Sequence, residues 1–507
     1  MSAGLLVGVD VGTQSVKAGL FAADGSTLAE AARPLALHRR GPNHVEQDPE
    51  DFVAGVTATI ASCVADAGCG PGDVAGIGLA GQMAGILGVG ADGRAVTPYD
   101  SWLDSRCGGE VEEIAARLGD EVVERTGCTP MVAHAPKMLW RLRNRPDEYA
   151  RVERFVVPSA YIAGRLAGLR GADAHVDWTH LHFSGLADAA ASSWSPELAA
   201  AIGLDPGRLP RIVAPTEAVG GLTPSAASDC GLAEGIPVAA GLGDTAAGIL
   251  GAGVVAPGQL LDTAGTASVL AVAVPEFRPD TAGRMLIAMR GAVPGQWVSL
   301  SYLAGGDLLR WLPRALAGVP AGDDSALATL LAEAARAEAG RLLFVPHLGG
   351  RILPPAPSAR GAWLGLDLAD GRGDLVRAVL ESVAFEYEGY LDEARGLFTE
   401  LSPSEVRVIG GGAENALWNR IKASVLGLPY VRLRRESFSC WGAALVGGAA
   451  AGVVPDLAAA ALRTTAVEES IEPDPDLHAT YAALLPDYRA AVETVLSRTA
   501  PAEAVCL

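Results

Sequence analysis

The stretch from Val7 to Leu20 constrains the fold of this chain more than any other, because apolar residues alternate with period two on both sides of a short turn. Such alternation predicts two half-buried strands joined as a hairpin. The turn between them, Asp10 to Ser15, contains Gly12, whose backbone freedom lets amide groups point at an anion. The pattern therefore predicts a phosphate-binding hairpin, and an ordinary N-terminal hairpin is the simpler alternative.

Polar side chains around this turn fit a bound nucleotide. Thr13 adds a hydroxyl donor, and Lys17 adds a positive charge one strand-step later. Asp10 would stand beside the bound anion, which makes sense only if a cation lies between the two charges. Because magnesium in nucleotide sites is usually held by few carboxylates and several waters, Asp10 is predicted to hold Mg²⁺ through water.

The same motif returns later in the chain. Gly265-Thr266-x-Ser268-Val269-x-Ala271 repeats the pattern that starts at Gly12, again after an aspartate, Asp262. The spacing is half the chain length, which predicts two related halves that each present a Gly-Thr hairpin, with domains at 1–254 and 255–507. A chance match of small residues in a chain rich in Gly and Ala is the alternative.

The composition limits the classes of partner. A chain of 507 residues that is 50% hydrophobic should be globular, with two or three domains. Its net charge of −20 argues against nucleic acids and anionic membranes, which would repel it. Seven cysteines without a CxxC pair fit a reducing compartment, and no leader or membrane-length apolar run is recognisable. We expect a soluble cytoplasmic protein.

The segment from Pro237 to Gly248 predicts the catalytic group. An apolar strand and two glycines are followed by Asp244 and then by a helix of small residues. The end of such a strand places the carboxylate at an open edge of the sheet, where it can accept a proton. The alternative is that Asp244 serves only as the helix N-cap, and the two roles are compatible.

A second group of residues is typical of a polyol site. The turn Ala80 to Gly85 follows a buried strand, at the edge where open α/β sheets place ligands. Trp102, Asp104 and Arg106 offer an aromatic face, a carboxylate and a guanidinium within five residues. The alternative is a core tryptophan with an exposed ion pair.

Other segments predict supporting structure. Helical spacing predicts helices over 49–67, 108–126, 134–150 and 374–397. The glycine run from Gly410 to Asn415, between a strand and a helix, would let backbone approach a base or phosphate, with Asn415 at an adenine edge.

Metal ligation by three histidines is disfavoured because no fourth ligand presents itself. They are His175, His180 and His182.

With these residues laid out, the chain resembles the FGGY family of carbohydrate kinases and, within it, the xylulokinases. The second family signature is complete: Gly361-x-Trp363-x-Gly365-Leu366, seven residues, Asp374-Leu375, two residues, then Ala378-Val379-Leu380-Glu381. The first signature keeps its centre, Ala135 to Trp140, but has His134 and Arg141 at its flanks. The resemblance covers nearly the whole length.

The resemblance implies an α/β fold of two actin-like, ribonuclease H-like ATPase domains with an interdomain cleft. It implies ATP and Mg²⁺ as cofactors and Asp244 as the catalytic base. The positions that match the family's nucleotide side are Asp10, Thr13, Gln14, Lys17, Gly265, Thr266, Gly306, Arg310, Gly411 and Asn415. Those on the substrate side are Gln82, Met83, Ala84, Trp102, Asp104 and Asp244.

The predicted activity is ATP-dependent phosphorylation of a primary hydroxyl, with a pentulose as the first candidate acceptor. Xylulokinases usually have histidine where this chain has Ala84, so ribulose, a pentitol, a tetritol and glycerol stay open as acceptors. An actin-like ATPase without a small-molecule acceptor is the rival class, and a sugar-binding regulator without turnover is a third. A homodimer is a further expectation, beside the small-molecule substrate.

Overall fold

Two mixed sheets of seven strands, one from each half of the chain, form the framework. The computed structural model describes residues 4–265, 267–435 and 437–498. Helices flank both sheets, and the apolar faces of strands and helices form the cores.

The first half supplies the elements up to α8. Its strands are β1 (Leu5–Val11), β2 (Ser15–Phe21), β3 (Thr27–Pro34), β4 (His38–Gly41), β5 (His44–Gln47), β6 (Val74–Gly81), β7 (Leu87–Val89), β8 (Tyr99–Asp100), β9 (Arg154–Val156), β10 (His175–Asp177), β11 (Ala187–Asp188), β12 (Ser193–Trp194), β13 (Arg211–Val213), β14 (Ala218–Gly221), β15 (Pro237–Ala239) and β16 (Leu242–Gly243). Its helices are α1 (Pro49–Ala67), α2 (Gly108–Thr126), α3 (His134–Asn144), α4 (Pro146–Arg151), α5 (Pro158–Ala167), α6 (Pro196–Ile202), α7 (Pro224–Cys230) and α8 (Asp244–Gly251).

The second half supplies the rest. Its strands are β17 (Leu260–Ala264), β18 (Ser268–Val274), β19 (Ile287–Arg290), β20 (Trp297–Leu303), β21 (Leu343–Val345), β22 (Ala362–Leu364), β23 (Val406–Ile409), β24 (Tyr430–Leu433) and β25 (Val467–Ile471). Its helices are α9 (Gly305–Leu312), α10 (Asp324–Ala334), α11 (Arg372–Leu397), α12 (Ala416–Leu426), α13 (Phe438–Ala450), α14 (Leu457–Arg463) and α15 (Pro475–Arg498).

The two sheets repeat one topology. The first has the order β3-β2-β1-β6-β15 at its centre, and the second has β20-β18-β17-β23-β24. In each, the first three strands are antiparallel and the next two run parallel to the central one. The predicted hairpins are β1–β2 and β17–β18; Gly12 and Thr13 lie in the turn of the first, and Gly265 lies in the turn of the second. The predicted α/β fold with two related halves is therefore confirmed.

The aspartates near the two motifs are not equivalent. At the offset of the repeat, Thr263 rather than Asp262 corresponds to Asp10. Asp262 faces the core, where it accepts hydrogen bonds from Lys422 Nζ at 2.6 Å and from Tyr387 at 2.7 Å. Because this carboxylate is buried and paired, the repeat extends to the hairpin but not to its acidic residue.

Helix α13 joins the two halves. It packs against α8 and lies on β1 and β6 of the first sheet. The contact needs glycine, because a Cβ at Gly8 would lie 1.8 Å from Cys440 O and one at Gly442 would lie 2.0 Å from Ala247 O. Within the described ranges, no helix combines the length and the apolar character needed to cross a membrane.

The predicted helices agree with the structure except in one place. Residues 49–67 and 108–126 form α1 and α2 as predicted, whereas 134–150 is split into α3 and α4. Pro146 begins α4, and Arg145 before it has φ −140° and ψ 54°, outside the helical region. The residue before a proline is disfavoured in the helical region, which explains the break.

Candidate active site

A cavity of about 170 Å³ lies between the halves. The first half contributes most of its polar groups, and the second half contributes a largely apolar wall. The lining residues are Gln82, Met83, Ala84, Trp102, His182, Phe183, Asp244, Thr245, Ala267, Val269, Met289, Leu300 and Tyr302. Five of the six residues predicted for the substrate side therefore lie on one cavity, and Asp104 does not.

Asp244 is the first residue of α8, immediately after the short strand β16. Gly243 occupies the N-cap position, so the alternative that Asp244 is merely the N-cap is wrong. The Gly243 N–H donates to Thr179 Oγ1 at 2.9 Å, and Asp244 accepts from the Thr245 N–H at 2.6 Å. A Cβ at Gly243 would lie 2.5 Å from the Met83 side chain. The glycine thus lets Met83 pack against the strand end that delivers the carboxylate.

Two carboxyl groups in the cleft have raised pKa values. Burial raises the pKa of Asp244 to about 6, against hydrogen bonds from Thr245 that lower it. Burial and then the charge of Asp244 raise the pKa of Asp10 to about 7, with Lys17 acting in the opposite direction. Lys17 lies directly opposite Asp10 in the β1–β2 register. The site therefore holds two carboxylates whose charge is costly without a compensating cation.

The Asp10 carboxyl fits a magnesium site. Its Oδ1 is buried and has no hydrogen-bond partner in the described structure. Among residues 4–265, 267–435 and 437–498, no group of three or more His, Cys, Asp or Glu side chains is arranged to hold a metal ion. A single free carboxylate suits Mg²⁺, which keeps waters and binds substrate phosphates rather than a full protein cage.

Gln82 and Ala84 shape one wall of the cavity. Gln82 donates from Nε2 to Gln47 Oε1 at 2.9 Å. The Oε1 atom of Gln82 is buried and has no hydrogen-bond partner in the described structure. Ala84 has φ 62°, a left-handed conformation that is costly for a residue with a Cβ. Such strain at a cavity wall indicates that the turn is held in place by its surroundings.

Trp102 links the cavity to the first hairpin, whereas Asp104 supports the loop. The Trp102 side chain is 43% exposed, and its Nε1 donates to Thr13 Oγ1 at 2.8 Å. Asp104 instead accepts from the Val45 N–H at 2.7 Å, and its two carboxylate oxygens accept from Arg106 Nε at 3.0 and 2.9 Å. Because these donors occupy the buried carboxylate, the structure places Asp104 behind the cavity wall.

The remaining nucleotide-side residues lie in several elements. Gln14 and Gly265 are in the turns of the two hairpins, and Thr266 lies outside the described residues. Gly306 and Arg310 are in α9, where Arg310 lines a second cavity of about 320 Å³ that shares Tyr302 with the first. Gly411 and Asn415 follow β23, and Asn415 Oδ1 accepts from the Trp418 N–H at 3.1 Å as the N-cap of α12.

Comparison with known proteins matches both halves to one family. Residues 5–251 match the N-terminal domain of the FGGY family of carbohydrate kinases, and residues 262–451 match its C-terminal domain. The chain belongs to the FGGY family. It is therefore a sugar kinase, built on the two actin-like domains of this family.

Relatives of this FGGY kinase include two activities. It is 30% identical over 435 residues to a xylulose kinase of Escherichia coli, covering 83% of this chain and 85% of the relative. It is 31% identical over 472 residues to a glycerol kinase of Citrifermentans bemidjiense, covering 90% and 92%. The crystal structure of a xylulose kinase from Rhodospirillum rubrum superposes with a TM-score of 0.86 at 28% identity, covering 97% and 100%.

The signature motifs of this FGGY kinase have structural contacts. Trp363 donates from Nε1 to Leu375 O at 3.1 Å, which ties β22 to α11, and Glu381 pairs with Arg377 at 2.8 Å. From the first signature, buried Lys137 donates to Ser101 O at 2.9 Å and so fixes the loop that carries Trp102. The first signature thus supports the loop that carries Trp102, and the second ties β22 to α11.

Sequence reasoning missed His182 as part of this FGGY site. It lies in a 3₁₀ turn, Trp178–Phe183, and is one of the residues that line the cavity. The sequence offered three nearby histidines as a disfavoured metal site, and no spacing rule distinguishes a histidine that faces a cavity from one that faces the core.

Proposed function

We propose that this FGGY kinase transfers the terminal phosphate of ATP to a primary hydroxyl of a small neutral sugar or polyol, with a pentulose as the first candidate. The observation that carries the proposal is the position of Asp244 on a cavity lined by residues of both halves. A reaction that uses ATP fits a cytoplasmic enzyme.

The cavity favours a neutral acceptor of small size. None of the described residues that line it is Lys or Arg, and Asp244 would repel an anionic sugar acid. Its volume, about 170 Å³, is below the ~300–1,000 Å³ of sites for drug-sized ligands. The cavity itself argues against an actin-like ATPase without an acceptor, because such a protein needs no pocket beside the transfer site.

Asp244 acts as the general base. It accepts the proton of the acceptor hydroxyl as the bond to phosphorus forms, while Gln82 and Trp102 hold the acceptor in place. A carboxylate with a pKa of about 6 is a better base at neutral pH than an ordinary one and is still ionised there. Positioning and charge neutralisation supply most of the acceleration in phosphoryl transfer.

The two hairpins hold the phosphates. Thr13 and Gln14 of the first, and Gly265 and Thr266 of the second, are proposed to contact them, with Lys17 adding positive charge. Gly306, Arg310, Gly411 and Asn415 are proposed to hold the nucleoside. Asp10 would hold Mg²⁺ through water, and the ion when bound neutralises charge on the phosphates.

Asp104 is proposed to position the loop rather than to touch the sugar. Its contacts with Val45 and Arg106 fix the segment that presents Trp102 to the cavity. A change at Asp104 should therefore disturb Trp102 as well.

The test is a screen of acceptors with ADP release coupled to NADH oxidation. D-xylulose, D-ribulose, xylitol, erythritol and glycerol are supplied at equal concentration, with D-gluconate as the anionic control. We expect turnover of at least one neutral compound and little with gluconate, and phosphorus NMR of the product should show a phosphate on a primary carbon. ADP release that does not depend on any acceptor would contradict the proposal.

A further inference from the structure

The cavity that Ala84 lines also contains an imidazole with one unpaired nitrogen. His182 is 3% exposed, lines the cavity, and has no hydrogen-bond partner for Nδ1 among the described residues. Leaving a buried polar atom without a partner costs roughly 1–3 kcal/mol, and a bound ligand can offset this cost where the residue lines a cavity. A ligand in the cavity is the group that would satisfy it.

The surroundings hold this ring in place. His182 packs against Phe183 with ring centroids 4.1 Å apart, and the turn that carries it is anchored at Thr179. The Thr179 hydroxyl donates to Asp177 at 2.5 Å and accepts from the Gly243 N–H, next to the catalytic Asp244. The turn that carries His182 is thus tied, through Thr179, to the backbone next to the base.

The imidazole is neutral. Burial, and then the neighbouring His180, lower the pKa of His182 to about 3, against a smaller effect of the Thr179 backbone. A neutral imidazole has one donor and one acceptor nitrogen, so either tautomer can pair with a hydroxyl. It does not attract an anion, which agrees with the neutral acceptor proposed above.

We propose that His182 binds a hydroxyl of the acceptor and determines acceptor specificity. It would replace the histidine that xylulokinases usually have at the position of Ala84. This inference rests on the proposed function and deepens it. Because the imidazole comes from the Trp178–Phe183 turn and not from position 84, it meets the acceptor from another wall. The hydroxyl that it selects therefore differs in position or configuration from the one that a histidine at 84 would bind.

The test is the coupling between His182 and one acceptor hydroxyl. The best compound from the panel and its monodeoxy analogues, which keep the reacting primary hydroxyl, are compared in wild type and His182→Leu. In wild type, one deoxy analogue should lose roughly tenfold or more in kcat/KM. In His182→Leu, the ratio of kcat/KM between the parent compound and that deoxy analogue should approach one. KM for ATP should stay within about twofold of the wild-type value.

His180→Leu is the matched control. His180 is in the same turn, is 1% exposed and does not line the cavity, so it tests the effect of losing a buried imidazole. It should keep the wild-type deoxy pattern. His182→Asn, which offers an amide near the Nδ1 position, should restore part of the discrimination and serves as the test if His182→Leu does not fold.

The outcomes separate the two hypotheses. If wild type phosphorylates no sugar or polyol, the proposed function fails. If wild type is active but every deoxy analogue loses the same factor in the His182 variants as in wild type, the assignment of His182 is wrong while the kinase activity stands.

Discussion

Trp102 Nε1 donates a hydrogen bond to Thr13 Oγ1 at 2.8 Å, which connects the acceptor cavity directly to the turn of the first hairpin. The indole is the only part of that side chain that can donate, and its face remains available to stack on a sugar. A change on the acceptor side can thus reach the phosphate side through one bond.

Trp102→Phe should separate these two roles. The ring is kept, but the bond to Thr13 is lost, which costs roughly 0.5–1.5 kcal/mol or about a two- to tenfold change. We expect KM for ATP or kcat to change by this factor, with a smaller change in KM for the acceptor. Thr13→Val removes the same bond from the other side. If Trp102→Phe affects only acceptor KM, the link has no role in nucleotide binding.

Asp244→Asn should nearly abolish transfer. The amide has the same shape but cannot accept the hydroxyl proton, and general bases contribute ~10²–10⁴-fold. Nucleotide affinity, measured by calorimetry, and the melting temperature should stay close to wild type or rise. Retention of more than about a tenth of wild-type turnover would show that Asp244 is not the base.

The pH profile should report the cleft carboxylates. Because Asp244 and Asp10 act as charged groups, kcat/KM should fall as pH drops below about 7 and more steeply below about 6. The two groups interact, so the apparent values belong to the pair. A profile that is flat from pH 5 to 8 would contradict these assignments.

Stability should show the opposite trend in the ligand-free enzyme. Burial raises the pKa of Asp10 from 3.8 to about 7, so between these values the folded state binds a proton that the unfolded state has released. The free energy of unfolding therefore falls as pH rises through that window. Asp10→Asn should lose less in melting temperature between pH 5 and 8 than wild type does. An equal or larger loss in the variant would count against the raised pKa.

Ala84 predicts that D-xylulose is not the preferred acceptor. Without an imidazole there, a ketose that depended on that hydrogen bond loses roughly 0.5–1.5 kcal/mol. Ala84→His should raise kcat/KM for D-xylulose relative to the rest of the panel, since His tolerates the left-handed conformation at this position. Ala84→Gly is the control for space alone. If wild type already prefers D-xylulose a hundredfold, the inference fails.

The halves should close when both substrates bind. Val269, Met289 and Leu300 of the second half line the same cavity as Asp244, and exclusion of water protects ATP from hydrolysis. Small-angle scattering of Asp244→Asn with ATP and acceptor should show a smaller radius of gyration than with either alone. An unchanged radius would argue against a hinge.

Much of the fold and site follows from local pattern. Period-two alternation predicts the β1–β2 hairpin, and an apolar strand before glycine and aspartate predicts the position of Asp244. The rest depends on contacts that sequence spacing does not encode. Asp104 is occupied by a backbone N–H 59 residues away, at Val45, and His182 faces a cavity whose other wall comes from the second half.

Helix α13 belongs to the second half by chain order and to the first sheet by contact, with the backbone of its residues seated against glycines of β1 and β6. Cutting the gene between codons 254 and 255 would leave one fragment with an uncovered sheet and the other with an uncovered apolar helix. Such fragments should aggregate when they are expressed separately. When they are produced together, they should assemble and show kinase activity. The two halves thus repeat one topology, but each depends on the other to cover its apolar surface.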